Sequence, residues 1–336
     1  MRNKILRICF VCLVLCAFMI ISNFLGTILM PQRLDYGSTW DSYLVEPKDS
    51  VDILFFGSSM VYCNVIPATL YKNTGITSYV MAGPEMTIPI TYYYIREACR
   101  TQSPKVIAVE LNGLFYGRYT NFTKVTVGYM PWSANRIGAT FNAAEKEERL
   151  GLMFPLYNYH SRLSEVSRAD LISHLCPAAD PYAGYTPLSK AVPQTEIIYR
   201  GYRSDTEEFA RNLMYLKKIS EFCEVNNIKL LLYVSPATAQ IPPEALETMK
   251  EQIHSWGEFI DFNPMTQEMQ IDNQTDWYDN LHFNVHGANK FTNFLGHYLK
   301  ELFALPETVA EDVQLWLSRI EQIEAYQKEA MAASES

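Results

Sequence analysis

Two short stretches hold residue types that could act together. The first, Val51-Asp52-Ile53-Leu54-Phe55-Phe56-Gly57-Ser58-Ser59-Met60, is an apolar run that stops at Gly-Ser-Ser. The second, Thr275-Asp276-Trp277-Tyr278-Asp279-Asn280-Leu281-His282-Phe283-Asn284, carries an Asp-x-x-His pair just before an apolar-periodic stretch. A serine hydroxyl attacks only when a base takes its proton. That base needs a third group to fix its tautomer and stabilise the imidazolium. An early serine, Ser58 or Ser59, with His282 and Asp279 supplies nucleophile, base and orienting carboxylate. Read alone, each stretch has a plainer meaning. Gly-Ser-Ser also makes a turn and a helix cap, and Asp-x-x-His recurs by chance. A strand-end serine combined with an Asp-x-x-His before a late helix is far more specific.

Elements must bring these stretches together across more than two hundred residues. A short apolar run bounded by glycine reads as a buried strand of a parallel sheet. Ligands of such sheets bind just past the carboxyl ends of the strands, beside helix N-termini that favour negative charge. After Ser59 the chain passes Pro67 into a helical piece ending near Gly75, then a strand at 78–81 closed by Ala82-Gly83. A helix at 87–100 follows, and a strand at 106–111 closed by Asn112-Gly113. Strand alternating with helix predicts a parallel sheet with right-handed crossovers. The same rhythm returns as a helix at 205–226, a strand at 229–234, a helix at 243–253, a strand at 259–262 and a helix at 285–303. A last helix, with Val313, Trp316, Leu317 and Ile320 at helical spacing, packs on the domain or on a partner. The expected fold class is α/β, with five parallel strands between helices.

Residues 114–200 break the rhythm. They are rich in Tyr, Pro and Asn, and only 143–150 and 163–175 suggest helix. This is read as an insertion, either a substrate-recognition cap over the carboxyl edge or a structural subdomain without ligand contact. The organisation is then a stub and apolar segment at 1–30, a linker at 31–50, a domain at 51–303 containing the insertion, and a C-terminal helix and tail at 304–336.

Of 336 residues, 48% are hydrophobic, which supports a large core. The net charge of −9 and the lack of a basic stripe argue against nucleic acid as a partner. Residues 8–30 are apolar and uncharged, long enough to cross a hydrocarbon core about 30 Å thick. Arg2, Lys4 and Arg7 precede this run, whereas a single Arg33 stands among Asp35, Asp41 and Glu46 after it. That bias reads as a signal anchor with the N-terminus inside and the main domain outside the cytoplasmic membrane. A cleaved signal is the alternative, without a clear Ala-x-Ala site to support it. Cys9, Cys12 and Cys16 lie in the apolar run. Cys63, Cys99, Cys176 and Cys223 match no zinc spacing and read as small core residues, or as a disulfide if the domain is exported. His160, His174 and His254 are isolated. No metal constellation is visible and no cofactor is expected.

Several blocks carry a resemblance: Phe56-Gly57-Ser58-Ser59, Pro67-Ala68-Thr69-Leu70-Tyr71, Ser78-Tyr79-Val80-Met81-Ala82-Gly83, Tyr92-Tyr93-Tyr94, Ser103-Pro104-Lys105-Val106, and Tyr278-Asp279-Asn280-Leu281-His282-Phe283-Asn284-Val285-His286-Gly287-Ala288. Over about 50–112 and 204–300 the chain resembles the SGNH (GDSL-like) hydrolase superfamily. It is most similar to the membrane-anchored branch that works beside membrane-bound O-acyltransferases in bacterial envelope modification, such as alginate acetylation and teichoic acid D-alanyl transfer. The resemblance implies a three-layer α/β/α domain. It puts the nucleophile at Ser59, the third position of the Gly-Asp-Ser pattern, with His282 as base and Asp279 as its orienter. It also implies an oxyanion hole from the Ser59 N–H, the Gly83 N–H and the Asn112 side chain. Pro84 follows Gly83 and has no N–H to give, and Glu110-Leu111-Asn112-Gly113 replaces the usual Gly-x-Asn-Asp. The implied activity is acyl transfer, most simply O-acetylation, to hydroxyls of an envelope polysaccharide, with a membrane O-acyltransferase as partner. An esterase removing such groups, or a non-catalytic glycan-binding or assembly module, are the alternatives.

Overall fold

The computed structural model describes residues 2–31, 40–118, 120–307 and 310–334. Chain order begins with helix α1 (Arg2–Leu29) and the one-turn α2 (Trp40–Tyr43). Next come β1 (Ile53–Gly57), α3 (Ser59–Tyr62), α4 (Pro67–Thr74), β2 (Ser78–Ala82), α5 (Ile88–Ala98), β3 (Val106–Glu110) and a 3₁₀ turn at Leu111–Phe115. Five short helices follow: α6 (Thr120–Val127), α7 (Ala134–Asn142), α8 (Arg149–Met153), α9 (Pro155–Tyr159) and α10 (Arg168–Leu175). The chain then forms β4 (Ile198–Tyr199), α11 (Glu207–Val225), β5 (Lys229–Val234), β6 (Ala239–Gln240), α12 (Pro243–Ile253), β7 (Glu258–Asp261), α13 (Val285–Leu302) and α14 (Val313–Ser334).

β1, β2, β3, β5 and β7 form one parallel sheet in the order β2-β1-β3-β5-β7, as the alternation of strand and helix predicts. The chain moves one way from β1 to β2 and the other way to β3, so the order reverses at β1. That is where open α/β sheets leave a crevice past their strand ends. The first three strands are buried at every position, which explains why they read as apolar runs without alternation. Alternate side chains feed two apolar clusters. Leu54, Phe56, Ile107, Val109 and Leu232 join residues of α5, α11 and α12. Ile53, Phe55, Val106, Ala108 and Tyr233 join residues of α4 and α13. Each such large side chain is worth about 1.5–3 kcal/mol when fully buried, so a slip of register by one residue is heavily penalised.

The segment expected to be a linker is only partly one. Positions 32–39, which include Arg33 and Asp35, lie outside the described residues. From residue 40 the chain is packed: Trp40 and Tyr43 are buried, and Gln102 accepts from the Ser50 and Val51 N–H groups. Glu46 forms a buried ion pair with Arg319 of α14. Burial pushes the Glu46 carboxyl up, opposed by the hydrogen bond and charge of Arg319. With Trp316, Arg319 and Ile323 also buried, α14 packs on the domain.

The insertion departs most from expectation. Residues 143–148 form turns rather than helix, and the helix expected at 163–175 begins only at Arg168. α6, α7 and α9 carry no clear sequence signal, since helices this short gain little from propensity and exist through their neighbours. α7 packs on α5, and α9 and α10 pack on α1. Residues 182–202 run elsewhere, back along the sheet and the histidine loop. Ala183 accepts from Val80 N–H, Thr186 N–H donates to Tyr62, and Leu188 accepts from Val285 N–H.

α1 offers a span of 26 residues, Lys4–Leu29, with mean hydropathy 2.7 and almost no burial. It is long and apolar enough to cross a membrane. All seven cysteines are unpaired; Cys63 and Cys223 are buried and Cys176 is exposed.

Candidate active site

The Gly57-Ser58-Ser59 stretch and the Asp279–His282 loop meet at the carboxyl edge of the sheet. β1 ends on Gly57, whose φ of +152° a side chain would rarely accept. A Cβ there would sit 2.6 Å from Val61 and 2.9 Å from the Glu110 side chain. Only glycine lets the chain turn this tightly into α3. Ser58 is the N-cap, fully buried, and its Oγ accepts from the Met60 N–H and contacts the Tyr116 hydroxyl at 3.3 Å. Ser59 is the first residue of α3 and is half-buried. The two adjacent serines thus divide the roles: Ser58 caps and Ser59 faces the site.

His282 Nε2 lies 2.7 Å from Ser59 Oγ. Its Nδ1 lies 3.0 and 2.9 Å from the two oxygens of Asp279. A carboxylate beside Nδ1 requires the proton there, which leaves the Nε2 lone pair to accept from the serine hydroxyl. Asp279 Oδ1 also accepts from the Leu281 and His282 N–H groups at 2.8 and 2.9 Å. Burial alone would raise the Asp279 carboxyl. The hydrogen bond and charge of His282, with the two backbone donors, outweigh it and hold the carboxyl below its usual range. Asp279 therefore stays ionised at neutral pH, as an orienting carboxylate must.

The loop carrying this pair is bolted on several sides. Trp277 and Phe283 form an antiparallel bridge, and their rings pack at a tilt of 34° with centroids 4.3 Å apart. Asn280 accepts from the Thr238 and Ala239 N–H groups just past β5. Asn64, buried after α3, accepts from the Phe283 N–H at 2.9 Å and donates to Ser235 Oγ at 3.1 Å. Asn64 therefore fixes the histidine loop to the helix that carries Ser59. The sequence signal for Asn64 is a polar side chain inside the apolar run 60–70. Buried amides in such runs must find partners.

The expected oxyanion donors divide. The Ser59 N–H, at the start of a helix, has no acceptor within that helix. The Gly83 N–H instead donates to the Gly57 carbonyl at 3.2 Å. It extends the β1–β2 ladder by one bond, so Gly83 is corrected from oxyanion donor to structural residue. The Asn112 side chain is buried, and Nδ2 donates to Glu110 Oε1 at 2.6 Å. One of its two amide hydrogens is spent on that bond, which leaves one for a ligand.

Behind Ser59 lies a polar layer without a local signal in the sequence. Burial pushes the Glu110 carboxyl up to about 7, opposed by hydrogen bonds from Asn112 and the Ser235 backbone and by the Arg200 charge. The Arg200 guanidinium sits 4.3 Å from the Tyr202 ring and 5.8 Å from that of Tyr116. Tyr116, whose hydroxyl reaches Ser58, is pushed up by burial and by the Glu110 charge. His286, on the first turn of α13, is not among the groups that meet Ser59. His174 instead approaches the Met30 carbonyl.

Comparison with protein-family models finds no match, and comparison with curated proteins finds none either.

Proposed function

We propose that this protein is a membrane-anchored serine acyltransferase of the SGNH type. Its three-layer α/β/α domain would stand outside the membrane that α1 crosses, with the N-terminus inside. It would move an acyl group, most simply acetyl, onto hydroxyls of a cell-envelope polysaccharide, supplied by a membrane O-acyltransferase. One observation carries the reading: the Ser59–His282–Asp279 hydrogen-bonded chain at the carboxyl edge of the sheet.

In this reading Ser59 Oγ attacks the ester carbonyl carbon while His282 Nε2 takes the serine proton. The Ser59 N–H and the remaining Asn112 N–H donate to the oxyanion. The donor alcohol leaves with the proton from His282, and the acyl group stays on Ser59. A sugar hydroxyl then attacks this ester and gives its proton to His282; the bond from the acyl carbon to Ser59 Oγ breaks, His282 returns the proton to Oγ, and the acylated sugar departs.

Hydrolysis, with water in place of the sugar, is the second reading. The openness of the site favours it, since the Asp279 side chain is 41% exposed and water reaches the triad edge. A product assay separates the two. Full-length protein is given an activated acetyl ester and an envelope-type oligosaccharide together. Transfer yields acetylated oligosaccharide that is lost in Ser59→Ala. Free acetate alone establishes the esterase. Neither product from folded protein overturns both and leaves a binding module.

A further inference from the structure

Exposed large apolar side chains are concentrated on one part of the molecule besides α1. Trp132, Leu150, Tyr157, Leu163, Ile172 and Leu175 are each 40–75% exposed, and all lie in the insertion. Water alone would make this costly; scattered singly such residues need no explanation, but a group this close in sequence does.

Their position relative to α1 supplies one. α9 is pressed against α1 at Gly26, where a Cβ would lie 2.5 Å from the Leu156 N and 2.8 Å from Pro155. The end of α1 is held by the same segment: Arg162 donates to the Leu29 carbonyl at 2.7 Å, and His174 contacts the Met30 carbonyl at 3.1 Å. A cation at the last carbonyls of a helix suits its negative end, and such side chains belong at the membrane–water boundary. This places Leu29 and Met30 near that boundary. The insertion nevertheless reaches deeper. An apolar cleft of about 520 Å³ is lined by Met19, Phe24 and Ile28 of α1 facing Trp132 and Leu175. Met19 lies about 16 Å below Met30 at about 1.5 Å per residue, well inside a hydrocarbon core about 30 Å thick.

We propose that the segment 132–175 is a shoulder that rests in the outer leaflet beside α1, with lipid acyl chains covering its exposed apolar side chains and entering the cleft. The occupant follows from continuity: any bilayer that covers the exposed surface of α1 at Met19–Ile28 covers Trp132 and Leu175 as well. The shoulder rests on the reading of α1 as a membrane anchor. It fixes the catalytic domain at one height above the membrane rather than leaving it on a free tether.

The test uses the full chain in phosphatidylcholine vesicles whose acyl chains are brominated, with tryptophan fluorescence as readout. Trp40, Trp277 and Trp316 are buried in the domain, and Trp256 is half-buried against the core just past α12. Trp132 is 40% exposed and lines the cleft beside α1, so Trp132 is the tryptophan that bromine reaches. The shoulder predicts strong quenching in wild type, most of it lost in Trp132→Phe. The double variant Leu163→Glu with Ile172→Glu, at exposed positions that do not threaten folding, lowers quenching by half or more. Equal quenching in wild type and Trp132→Phe, or none, in protein that resists carbonate extraction overturns the shoulder and leaves the anchor standing. A membrane protein partner would then be the cover. Extraction by carbonate overturns both.

Discussion

At the carboxyl edge of the sheet, side chains 223 residues apart in sequence meet at 2.7 Å. Between residues 118 and 175, neighbouring helices of five to nine residues rest largely on α1 and α5. The first region is the more distant in sequence and yet the more legible. Its geometry is set by strand register, and a parallel sheet of buried strands places every strand end on one line. The second region has no such frame. Its helices have too few residues to be stable alone, and their apolar faces point outward. Long range in sequence is thus no barrier to inference when a sheet does the positioning. Short range is no help when the partner is another helix.

The contrast can be broken most forcefully at the triad. His282→Ala should lower ester turnover by about 10⁴- to 10⁶-fold, and Asp279→Asn by about 10⁴-fold through the wrong tautomer. Both should leave the unfolding midpoint nearly unchanged. Steady-state kinetics beside a urea titration reads both quantities. A large stability loss would mean that the loop, rather than the chemistry, was damaged.

Asn64→Ala tests whether the edge is held as a unit. It strands the buried Phe283 N–H and Ser235 hydroxyl, at about 1–3 kcal/mol for each unsatisfied group. It should also lower kcat more than it raises KM, because the histidine loop loses its tie to α3. Unchanged kcat in the folded variant would limit Asn64 to stability.

Glu110 gives a pH-dependent effect of similar size. Its carboxyl is raised from 4.5 to about 7 in the fold, so between those values the folded state holds a proton that the unfolded chain has released. Stability from this group is present below about pH 4.5 and is lost as pH rises toward 7. At 1.36 kcal/mol per unit, the loss is about 3 kcal/mol. Glu110→Gln keeps the acceptor for Asn112 and should flatten that part of the pH–stability curve. Parallel curves for wild type and variant would contradict the buried acid.

The smallest effect belongs to the insertion. Leu163 is 75% exposed, and Leu163→Ser should change stability in detergent by less than about 0.5 kcal/mol and leave turnover of a soluble ester unaltered. A loss of activity there would mean that the insertion reaches the site, as a recognition cap would.

The residues explain why legibility ended where it did. The five strands of the main sheet, α4, α5, α11, α12 and α13 follow from apolar runs, prolines at helix starts and Gly75 at a helix end, where φ is +71°, whereas the two-residue strands β4 and β6 carry no such signal. Ser59, Asp279 and His282 are legible because few residue types can serve those roles. Gly83 differs from expectation because residue type cannot show where a backbone N–H points; one more ladder bond to Gly57 consumes it. Asn112 is half-spent for a related reason: a neighbouring carboxylate in the chain, Glu110, folds back onto it. The packing of residues 40–50 and the Glu46–Arg319 pair depend on α14, nearly three hundred residues further on, and nothing local in 31–50 signals it.

The most direct test of the central claim is labelling of the full-length protein with a serine-reactive fluorophosphonate, comparing wild type with Ser58→Ala, Ser59→Ala and His282→Ala. Ser58→Ala removes a cap worth about 1 kcal/mol but no nucleophile. The account predicts labelling of wild type and Ser58→Ala, none of Ser59→Ala, and a strongly slowed reaction of His282→Ala. Persistent labelling of Ser59→Ala, or no labelling of folded wild type, would contradict it.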